Sequence, residues 1–463
     1  MKKVITYGTY DLFHYGHRRL LERAKALGDY LIVGVTADGF DRARGKINVS
    51  QSLMERMDAV KATGLADEVI VEEYEGQKID DILRYGVDVF AIGSDWKGYF
   101  DYLKEYCDVV YLERTAGVSS SEIRSGKSEV RLGLVGGELS FLDKFERESR
   151  FVNGVKITGV YTSENEKQML SETLLHLPIV TSNFDELLEK VDAVYIISKP
   201  QDHYAQIKTA LINGKHVLCE SPIALHVAEW QELVDLAERK GLVLMDAIRT
   251  AYSTAYSRML LLVKSGRIGK VVSVDASCSS LRDTDLRGDE LSNVWNSICS
   301  WGPTAMLPVF QLLGTHYRMK QITSVLVDCP VKYDIFSKIA FTFSNSVASI
   351  KVGKGVKTEG ELVISGTTGY VYVPAPWWKT DYFEIRREDP TLNRRYFYQL
   401  DGEGIRYEIV SFIKAIGNGK NYSYISDEVS KAFVSIVEDF YEGNDLLKLE
   451  CCEGNDIERD TKL

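Results

Sequence analysis

The chain has 463 residues, 45% of them apolar, with 56 Lys and Arg against 67 Asp and Glu and a net charge of −11. This length predicts about three domains with packed cores, and the acidic balance argues against nucleic acid or an anionic membrane as a main partner. We expect no membrane span, because no apolar run reaches ~18 residues, and no signal peptide. Seven cysteines without metal-ligand spacing predict neither disulfides nor a zinc site, which favours a cytoplasmic location.

The first region alternates short apolar runs with helical patterns. The predicted strands are residues 4–7, 30–36, 68–71, 87–93 and 108–112, and the predicted helices include 18–28, 53–63 and 78–85. This alternation predicts an α/β fold with a parallel sheet covered by helices on both faces. Ligands of such sheets bind beyond the carboxyl ends of the strands, so a site is expected in the loops that follow them.

The loop after the first predicted strand carries the densest chemistry. It reads Gly8-Thr9-Tyr10-Asp11-Leu12-Phe13-His14-Tyr15-Gly16-His17 and leads into a helix. A helix start offers free backbone N–H groups and the positive end of the helix dipole, which suit a phosphate. Two ordinary loop histidines are the alternative, but G-T-x-D followed by H-x-G-H favours a phosphate site.

This loop resembles the signature of the cytidylyltransferase branch of the nucleotidyltransferase (HIGH) superfamily. A second matching motif is Arg114-Thr115-Ala116-Gly117-Val118-Ser119-Ser120-Ser121, and residues 1–127 look closely like the glycerol-3-phosphate cytidylyltransferase family. The resemblance implies a Rossmann-like domain that transfers CMP from CTP, escorted by Mg²⁺, to a polyol phosphate, with no metal held by the protein. It implies His14, His17, Lys46 and Arg114 as catalytic residues, a nucleotide site of Gly8, Thr9, Tyr10, Asp11, Gly16, Arg44, Thr115, Gly117, Ser119 and Ser120, and an acceptor site of Lys78, Asp95 and Trp96.

The acceptor end departs from the pattern of that family. Ser94 stands where the family has a second aspartate, Arg44 replaces a lysine, and Gly64 replaces an arginine. The acceptor is therefore open among the phosphates of glycerol, ribitol, erythritol and other polyols.

A second region resembles the Gfo/Idh/MocA oxidoreductases. Its first strand and turn, Val130-Arg131-Leu132-Gly133-Leu134-Val135-Gly136-Gly137, precedes Lys199-Pro200-Gln201-Asp202-His203, Glu220-Ser221-Pro222 and Gly366-Thr367-Thr368-Gly369. The resemblance implies a Rossmann domain followed by an α+β open-sheet domain. The predicted domains are a cytidylyltransferase domain at 1–127, a Rossmann domain at 128–250 and a sheet domain at 251–463.

Three features of hydride transfer are missing from this second region. Glu138 and Phe141 occupy the second and third glycine positions of the dinucleotide fingerprint G-x-G-x-x-G, where a carboxylate repels pyrophosphate and a ring crowds the helix. Ser221 replaces the catalytic lysine of the family, and Ser300 and Thr304 stand where the family has the acid/base pair of its D-x-x-x-H motif. We therefore expect no bound NAD(P) and a degenerate domain. It would serve as a platform for homo-oligomers, as a dimer or higher, or retain a sugar- or polyol-phosphate pocket that feeds or regulates the transferase.

Two other functions compete with a transferase that carries a degenerate partner domain. A bifunctional enzyme would reduce a keto-sugar phosphate in its second half and pass the polyol phosphate to the first. A non-catalytic nucleotide sensor is disfavoured by the intact His14, His17, Lys46 and Arg114. Elsewhere, the aromatic segment 371–398 is a candidate contact surface, and the polar, acidic stretch 446–463 is expected to fray.

Overall fold

The computed structural model describes residues 1–37, 49, 51, 53–73, 76–113, 129–281, 288–398, 400–418 and 423–450. The chain forms two compact units. Unit 1 comprises Met1–Val130 and Arg150–Lys156, and unit 2 comprises Arg131–Ser149 and Ile157–Leu463.

Within the described residues, unit 1 is built on a five-stranded sheet in which every strand pair is parallel. Its elements are β1 (Lys3–Gly8), α1 (Tyr15–Lys25), β2 (Tyr30–Thr36), α2 (Leu53–Lys61), β3 (Glu68–Glu72), α3 (Gln77–Tyr85), β4 (Val89–Gly93) and β5 (Asp108–Leu112). The strand order is β3-β2-β1-β4-β5, so the order reverses beside β1. A crevice forms at such a reversal, beyond the carboxyl ends of the strands. The predicted α/β fold of this region is confirmed.

Each face of this sheet has its own apolar core, because successive side chains of a strand point to opposite faces. Val4 packs with Leu21 of α1 on one face. Its neighbour Ile5 packs with Phe90 of β4 on the other. Burial on both faces explains why these strands are continuous apolar runs rather than alternating ones.

Unit 2 holds a six-stranded sheet in the described part of the chain, in the order β11-β10-β9-β6-β7-β8. Its strands are β6 (Val130–Val135), β7 (Val155–Tyr161), β8 (Ile179–Thr181), β9 (Ala193–Ile196), β10 (His216–Glu220) and β11 (Leu244–Ala247). Its helices are α4 (Leu139–Ser149), α5 (Glu164–Lys167), α6 (Glu172–Leu175), α7 (Phe184–Lys190), α8 (Pro200–Ile212) and α9 (Val227–Lys240). This Rossmann-like arrangement confirms the second predicted α/β fold.

A mixed sheet follows, with nine strands among the residues described, in the order β19-β18-β17-β16-β12-β15-β14-β13-β20. Its strands are β12 (Val271–Ser279), β13 (Met319–Val327), β14 (Tyr333–Thr342), β15 (Val347–Gly353), β16 (Leu362–Gly366), β17 (Gly369–Val373), β18 (Tyr382–Arg386), β19 (Arg394–Phe397) and β20 (Leu446–Glu450). The accompanying helices are α10 (Arg249–Tyr252), α11 (Thr254–Lys264), α12 (Ser297–Leu313), α13 (Ile405–Asn418) and α14 (Asp427–Glu442). The α+β class expected for this part is confirmed.

The structure corrects two expectations about surface segments. Part of the stretch predicted to fray forms β20, which pairs in parallel with β13 and begins where Gln321 Nε2 donates to the Asp445 carbonyl oxygen at 2.8 Å. Residues 451–463 lie outside the described residues. In the aromatic segment, Trp377 is a core residue, and its Nε1 donates to the Ser277 carbonyl oxygen at 3.1 Å.

Candidate functional site

The loop between β1 and α1 has an unusual backbone that side chains hold in place. Tyr10 and Leu12 have positive φ angles of 54° and 48°, which are uncommon outside glycine. The Leu12 N–H donates to Gln51 Oε1 at 2.7 Å, and the Gln51 N–H donates to Asp11 Oδ1 at 3.0 Å. Tyr10 and Asp11 are buried. The loop is therefore fixed before any ligand arrives, as expected where backbone strain accompanies function.

His14 and His17 form a stacked imidazole pair at the start of α1. Their ring centroids are 3.9 Å apart, with 21° between the planes. His14 caps the helix, since its Nδ1 accepts the Gly16 N–H at 3.0 Å. A neutral His14 therefore carries its proton on Nε2 and can donate it. His17 packs edge-on against Tyr10, with centroids 5.4 Å apart. Two donors and the positive end of a helix thus lie at the carboxyl edge of the sheet.

Arg56 is a site-shaping residue that the sequence analysis missed. It is fully buried on α2, and its Nη1 donates to the carbonyl oxygens of Thr9 at 2.6 Å and Thr36 at 2.9 Å. Its Nε donates to the Gln51 carbonyl oxygen at 3.2 Å. One guanidinium therefore ties the chain after β1 to the end of β2. One feature of the sequence could have indicated its burial: Arg56 precedes the apolar Val60 by one helical turn, so both lie on the same face of the helix.

Lys78, a predicted acceptor-binding residue, lies buried at the start of α3. Its amine pairs with the carboxylate of Glu72 at the end of β3 and lies 4.7 Å from the centroid of the Tyr7 ring. Thr36 Oγ1 donates to Glu72 Oε2 at 2.9 Å. Each of these two buried charges needs the other as its partner, because neither is solvated by water. The pairing therefore fixes the position of the Lys78 amine.

The other predicted residues fall into two groups. Gly8 ends β1, and a Cβ placed there would lie 3.0 Å from the Tyr10 ring. Asp95 and Trp96 belong to the 3₁₀ turn Ser94–Trp96 after β4, where the Trp96 ring lies 5.4 Å from that of Tyr99. Outside the described residues lie Arg44, Lys46, Arg114, Thr115, Gly117, Ser119 and Ser120.

Unit 2 contains a cavity of about 1370 Å³. It brings together the residues that replace the cofactor-binding and catalytic residues of the Gfo/Idh/MocA pattern. Its lining includes Glu138, Phe141, Ser221, Ser300 and Thr304. These residues are distant in sequence, so the cavity gathers them through the fold.

The glycine turn that opens this cavity departs from the dinucleotide fingerprint G-x-G-x-x-G. Gly136 and Gly137 have positive φ angles, but a carboxylate follows them at the start of α4. Glu138 Oε1 accepts a hydrogen bond from Ser140 Oγ at 2.8 Å, within the first turn of that helix. A helix N-terminus binds an anion through free N–H groups and its dipole, and a carboxylate beside it repels pyrophosphate. Phe141 holds the next key position and lies under the Arg249 guanidinium, 4.8 Å from ring centroid to Cζ.

Two buried acids lie beside the cavity around Arg249. Burial raises the pKa of Glu220, opposed by Arg249 and by the Tyr195 hydroxyl, which donates to Glu220 Oε1 at 2.5 Å. Burial and the Glu220 charge raise the pKa of Glu408 well above its usual range. A proton therefore stays on this acid pair more readily than on an exposed carboxylate.

His203 is a structural residue of unit 2. It is fully buried, with Nδ1 2.8 Å from the Pro222 carbonyl oxygen and Nε2 2.8 Å from the Ser198 carbonyl oxygen. This histidine therefore lies in the core of unit 2 and not on its surface. Among the residues described, one group has potential metal-ligand atoms within 4.8 Å of one another: His226, Glu438 and Glu442 on the surface.

No helix among the described residues combines the length and the apolar character that a membrane span needs.

The first region matches glycerol-3-phosphate cytidylyltransferases along nearly their whole length. A cytidylyltransferase-like family model matches residues 5–126. Over 124 residues, or 27% of this chain, the chain is 55% identical to glycerol-3-phosphate cytidylyltransferase of Bacillus spizizenii, covering 95% of that protein. The identity to the enzyme of the same name from Bacillus subtilis is 49%, with the same coverage. The fold and these relatives together define a nucleotidyltransferase enzyme.

The second region matches oxidoreductases. The model of the oxidoreductase family with an NAD-binding Rossmann fold (Gfo/Idh/MocA) matches residues 130–247. KijD10, a 3-ketoreductase from Actinomadura kijaniata, superposes with a TM-score of 0.60 at 18% identity, over 70% of this chain and 100% of that one. At such identity the likeness is one of fold. The chain belongs to the glycerol-3-phosphate cytidylyltransferase family and carries a Gfo/Idh/MocA oxidoreductase domain after that part.

Proposed function

We propose that this protein transfers CMP from CTP to a polyol phosphate, giving a CDP-alditol and pyrophosphate. The observation that carries the proposal is the stacked imidazole pair at the start of α1, in a region 55% identical to a glycerol-3-phosphate cytidylyltransferase. The relatives' names make glycerol phosphate the first acceptor to test, with other alditol phosphates next. A CDP-alditol suits the synthesis of cell-surface polymers such as teichoic acid or capsule.

In the proposed step, a phosphate oxygen of the acceptor attacks the α-phosphorus of CTP as the bond to pyrophosphate breaks. His14 and His17 donate hydrogen bonds to the α-phosphate and its bridging oxygen, where negative charge grows. Lys46, Arg44 and Arg114 neutralise the phosphates, and Ser119 and Ser120 add donors. The protein supplies position and charge rather than a covalent intermediate.

The remaining predicted residues of unit 1 concern the nucleotide and its metal. Gly8, Thr9, Tyr10, Asp11 and Gly16 line the proposed nucleotide site, together with Thr115 and Gly117. Mg²⁺ binds mainly to substrate phosphates and water. The Asp11 carboxylate already accepts the Gln51 N–H, so we assign it to shaping the loop and not to holding the metal.

At the acceptor end we propose that Lys78, Asp95 and Trp96 receive the polyol phosphate. The Lys78 amine is held by Glu72, which supports a fixed position for it. The turn Ser94–Trp96 follows β4, next to β1 in the sheet. Both lie at the carboxyl edge of the sheet, on which the imidazole pair also lies.

We further propose that the second half performs no hydride transfer and takes no NAD(P). Glu138 at the start of α4 and the serine at position 221 support this. The competing function is a reductase that supplies the polyol phosphate. Titration with NADH and NADPH separates the two functions, since a reductase gives saturable fluorescence changes below millimolar cofactor.

The proposed domains are residues 1–127, 128–250 and 251–463. We propose that the protein is a homo-oligomer in the cytoplasm.

The deciding experiment is release of pyrophosphate by the purified chain with CTP, Mg²⁺ and a panel of polyol phosphates. The expected result is turnover with at least one acceptor and with CTP in preference to other triphosphates. Absence of pyrophosphate with every acceptor in the panel contradicts the proposal. An unrelated alcohol without a phosphate is the matched negative control.

A further inference from the structure

One wall of the unit 2 cavity gathers three cations around a single carboxylate. Lys144 Nζ lies 2.6 Å from Glu403 Oε1, and Lys379 Nζ lies 2.8 Å from Glu403 Oε2. Arg249 Nη1 lies 3.8 Å from Glu403 Oε2. We call Lys144, Arg249 and Lys379 the cation tripod. All three and Glu403 line the cavity.

The tripod carries more positive charge than Glu403 neutralises. Burial works against ionisation of Glu403, but hydrogen bonds from Lys144 and Lys379 prevail and lower its pKa to about 2. Glu403 is therefore ionised at neutral pH and faces all three cations, of which Arg249 also faces the acids Glu220 and Glu408. Lys144 and Lys379 share the single Glu403 carboxylate, and the side chains of the tripod are 30–39% exposed toward the cavity. Like charges held this close repel, which an arriving anion relieves.

Phe141, which replaces the third glycine of the dinucleotide fingerprint, also contacts the tripod. The Arg249 guanidinium lies 4.8 Å from the centroid of the Phe141 ring. A ring face attracts a cation, more so when water is partly excluded. The Phe141 ring therefore helps to fix the Arg249 guanidinium, a contact that a glycine at this position could not make.

Aromatic and hydroxyl groups continue from the tripod along the cavity wall. Trp378 precedes Lys379 in the 3₁₀ turn Trp377–Lys379, and its ring lies 4.9 Å from that of Trp301. Ser300 and Thr304 flank Trp301 on α12 and also line the cavity. Indole faces pack against the C–H faces of carbohydrate chains, and hydroxyls exchange hydrogen bonds with their OH groups.

We propose that the unit 2 cavity binds the phosphate ester of a polyol or sugar, with the phosphate on the cation tripod and the carbon chain against Trp301 and Trp378. This site is separate from the acceptor site proposed in unit 1, and it does not depend on that proposal. Its ligand belongs to the chemical class that unit 1 is proposed to use, which gives the two halves of the chain a shared substrate pool.

The test uses the full-length chain and isothermal titration without CTP. The probes are sn-glycerol 3-phosphate, ribitol 5-phosphate and glucose 6-phosphate, with inorganic phosphate and free ribitol as partial ligands. The variant Lys144→Gln/Lys379→Gln removes two tripod charges. Lys208→Gln is the matched control, since Lys208 pairs with Glu232 at 2.7 Å on the unit 2 surface and does not line the cavity.

We expect one saturable site that weakens about 100-fold in the double variant and is unchanged in Lys208→Gln, because two charge-assisted hydrogen bonds are lost. Pyrophosphate release with CTP should stay within about twofold of the wild type in the same preparations. An affinity that the double variant leaves unchanged, or no binding of any probe, overturns the proposal. Failure of pyrophosphate release would instead count against the function proposed for unit 1 alone.

A second variant keeps the test sharp if the double variant folds poorly. Glu403→Gln removes the carboxylate with which a phosphate would compete for the tripod. Binding of the phosphate ester should tighten about two- to fivefold, as expected for a charge that is 33% exposed. A purely structural ion-pair cluster predicts the opposite sign, so unchanged or weaker binding in Glu403→Gln refutes the assignment.

Discussion

Replacing Arg56 by methionine should destabilise unit 1 by about 3 kcal/mol. The fully buried guanidinium donates to the carbonyl oxygens of Thr9, Thr36 and Gln51. Removing it leaves three acceptors without these donors, at ~1–3 kcal/mol each. Part of that loss is offset because the buried cation no longer has to be desolvated. Methionine roughly fills the volume, so cavity formation adds little.

The assay is urea denaturation followed by hydrogen exchange of peptides from β1 and β2, which reports unit 1 apart from unit 2. The matched control is Arg18→Met, because Arg18 pairs with Glu22 at 3.2 Å with 55% of its side chain exposed. Such a surface pair is worth under ~1 kcal/mol. The reasoning fails if Arg56→Met costs no more stability than Arg18→Met does.

Three further predictions concern catalysis and pH. His17→Ala should lower kcat by about 100-fold or more, as expected for loss of a donor to developing charge; near-normal pyrophosphate release in this variant would remove His17 from the mechanism. Asp95→Ala should raise KM for the polyol phosphate more than KM for CTP, and equal losses would show that Asp95 is wrongly assigned. Burial raises the pKa of Asp246 from 3.8 to about 6, so this group stabilises the fold at acid pH and the benefit is lost as pH rises through 6. In urea unfolding, Asp246→Asn should therefore gain about 3 kcal/mol over wild type at pH 8 and under about 1 kcal/mol at pH 4, and a gain independent of pH would contradict this origin.

Local patterns predicted most of the unit 1 fold. The strands expected at 30–36 and 108–112 have those same bounds as β2 and β5. Helix α1 begins at Tyr15, earlier than the apolar periodicity indicates, because the His14 side chain caps it. Buried parallel strands are continuous apolar runs, which is why they are visible in a single sequence.

Features that depend on distant partners could not be read in this way. Arg56 is defined by carbonyl oxygens from three separate segments, and an arginine in a helix ordinarily lies in solvent. Strand β20 is only five residues long, and its pairing with the distant strand β13 makes it a strand. The imidazole pair was found because its spacing is local, whereas the cation tripod joins residues from 144 to 379.

Strand β20 has a practical consequence for handling this protein. It lies at one margin of the nine-stranded sheet, where it covers the backbone of β13. A shortened version ending before residue 446 would leave the N–H and C=O groups of β13 open to other molecules. An exposed edge strand of this kind can pair with strands of neighbouring chains, which leads to aggregation. Shortened forms for crystallisation should therefore keep residues 446–450.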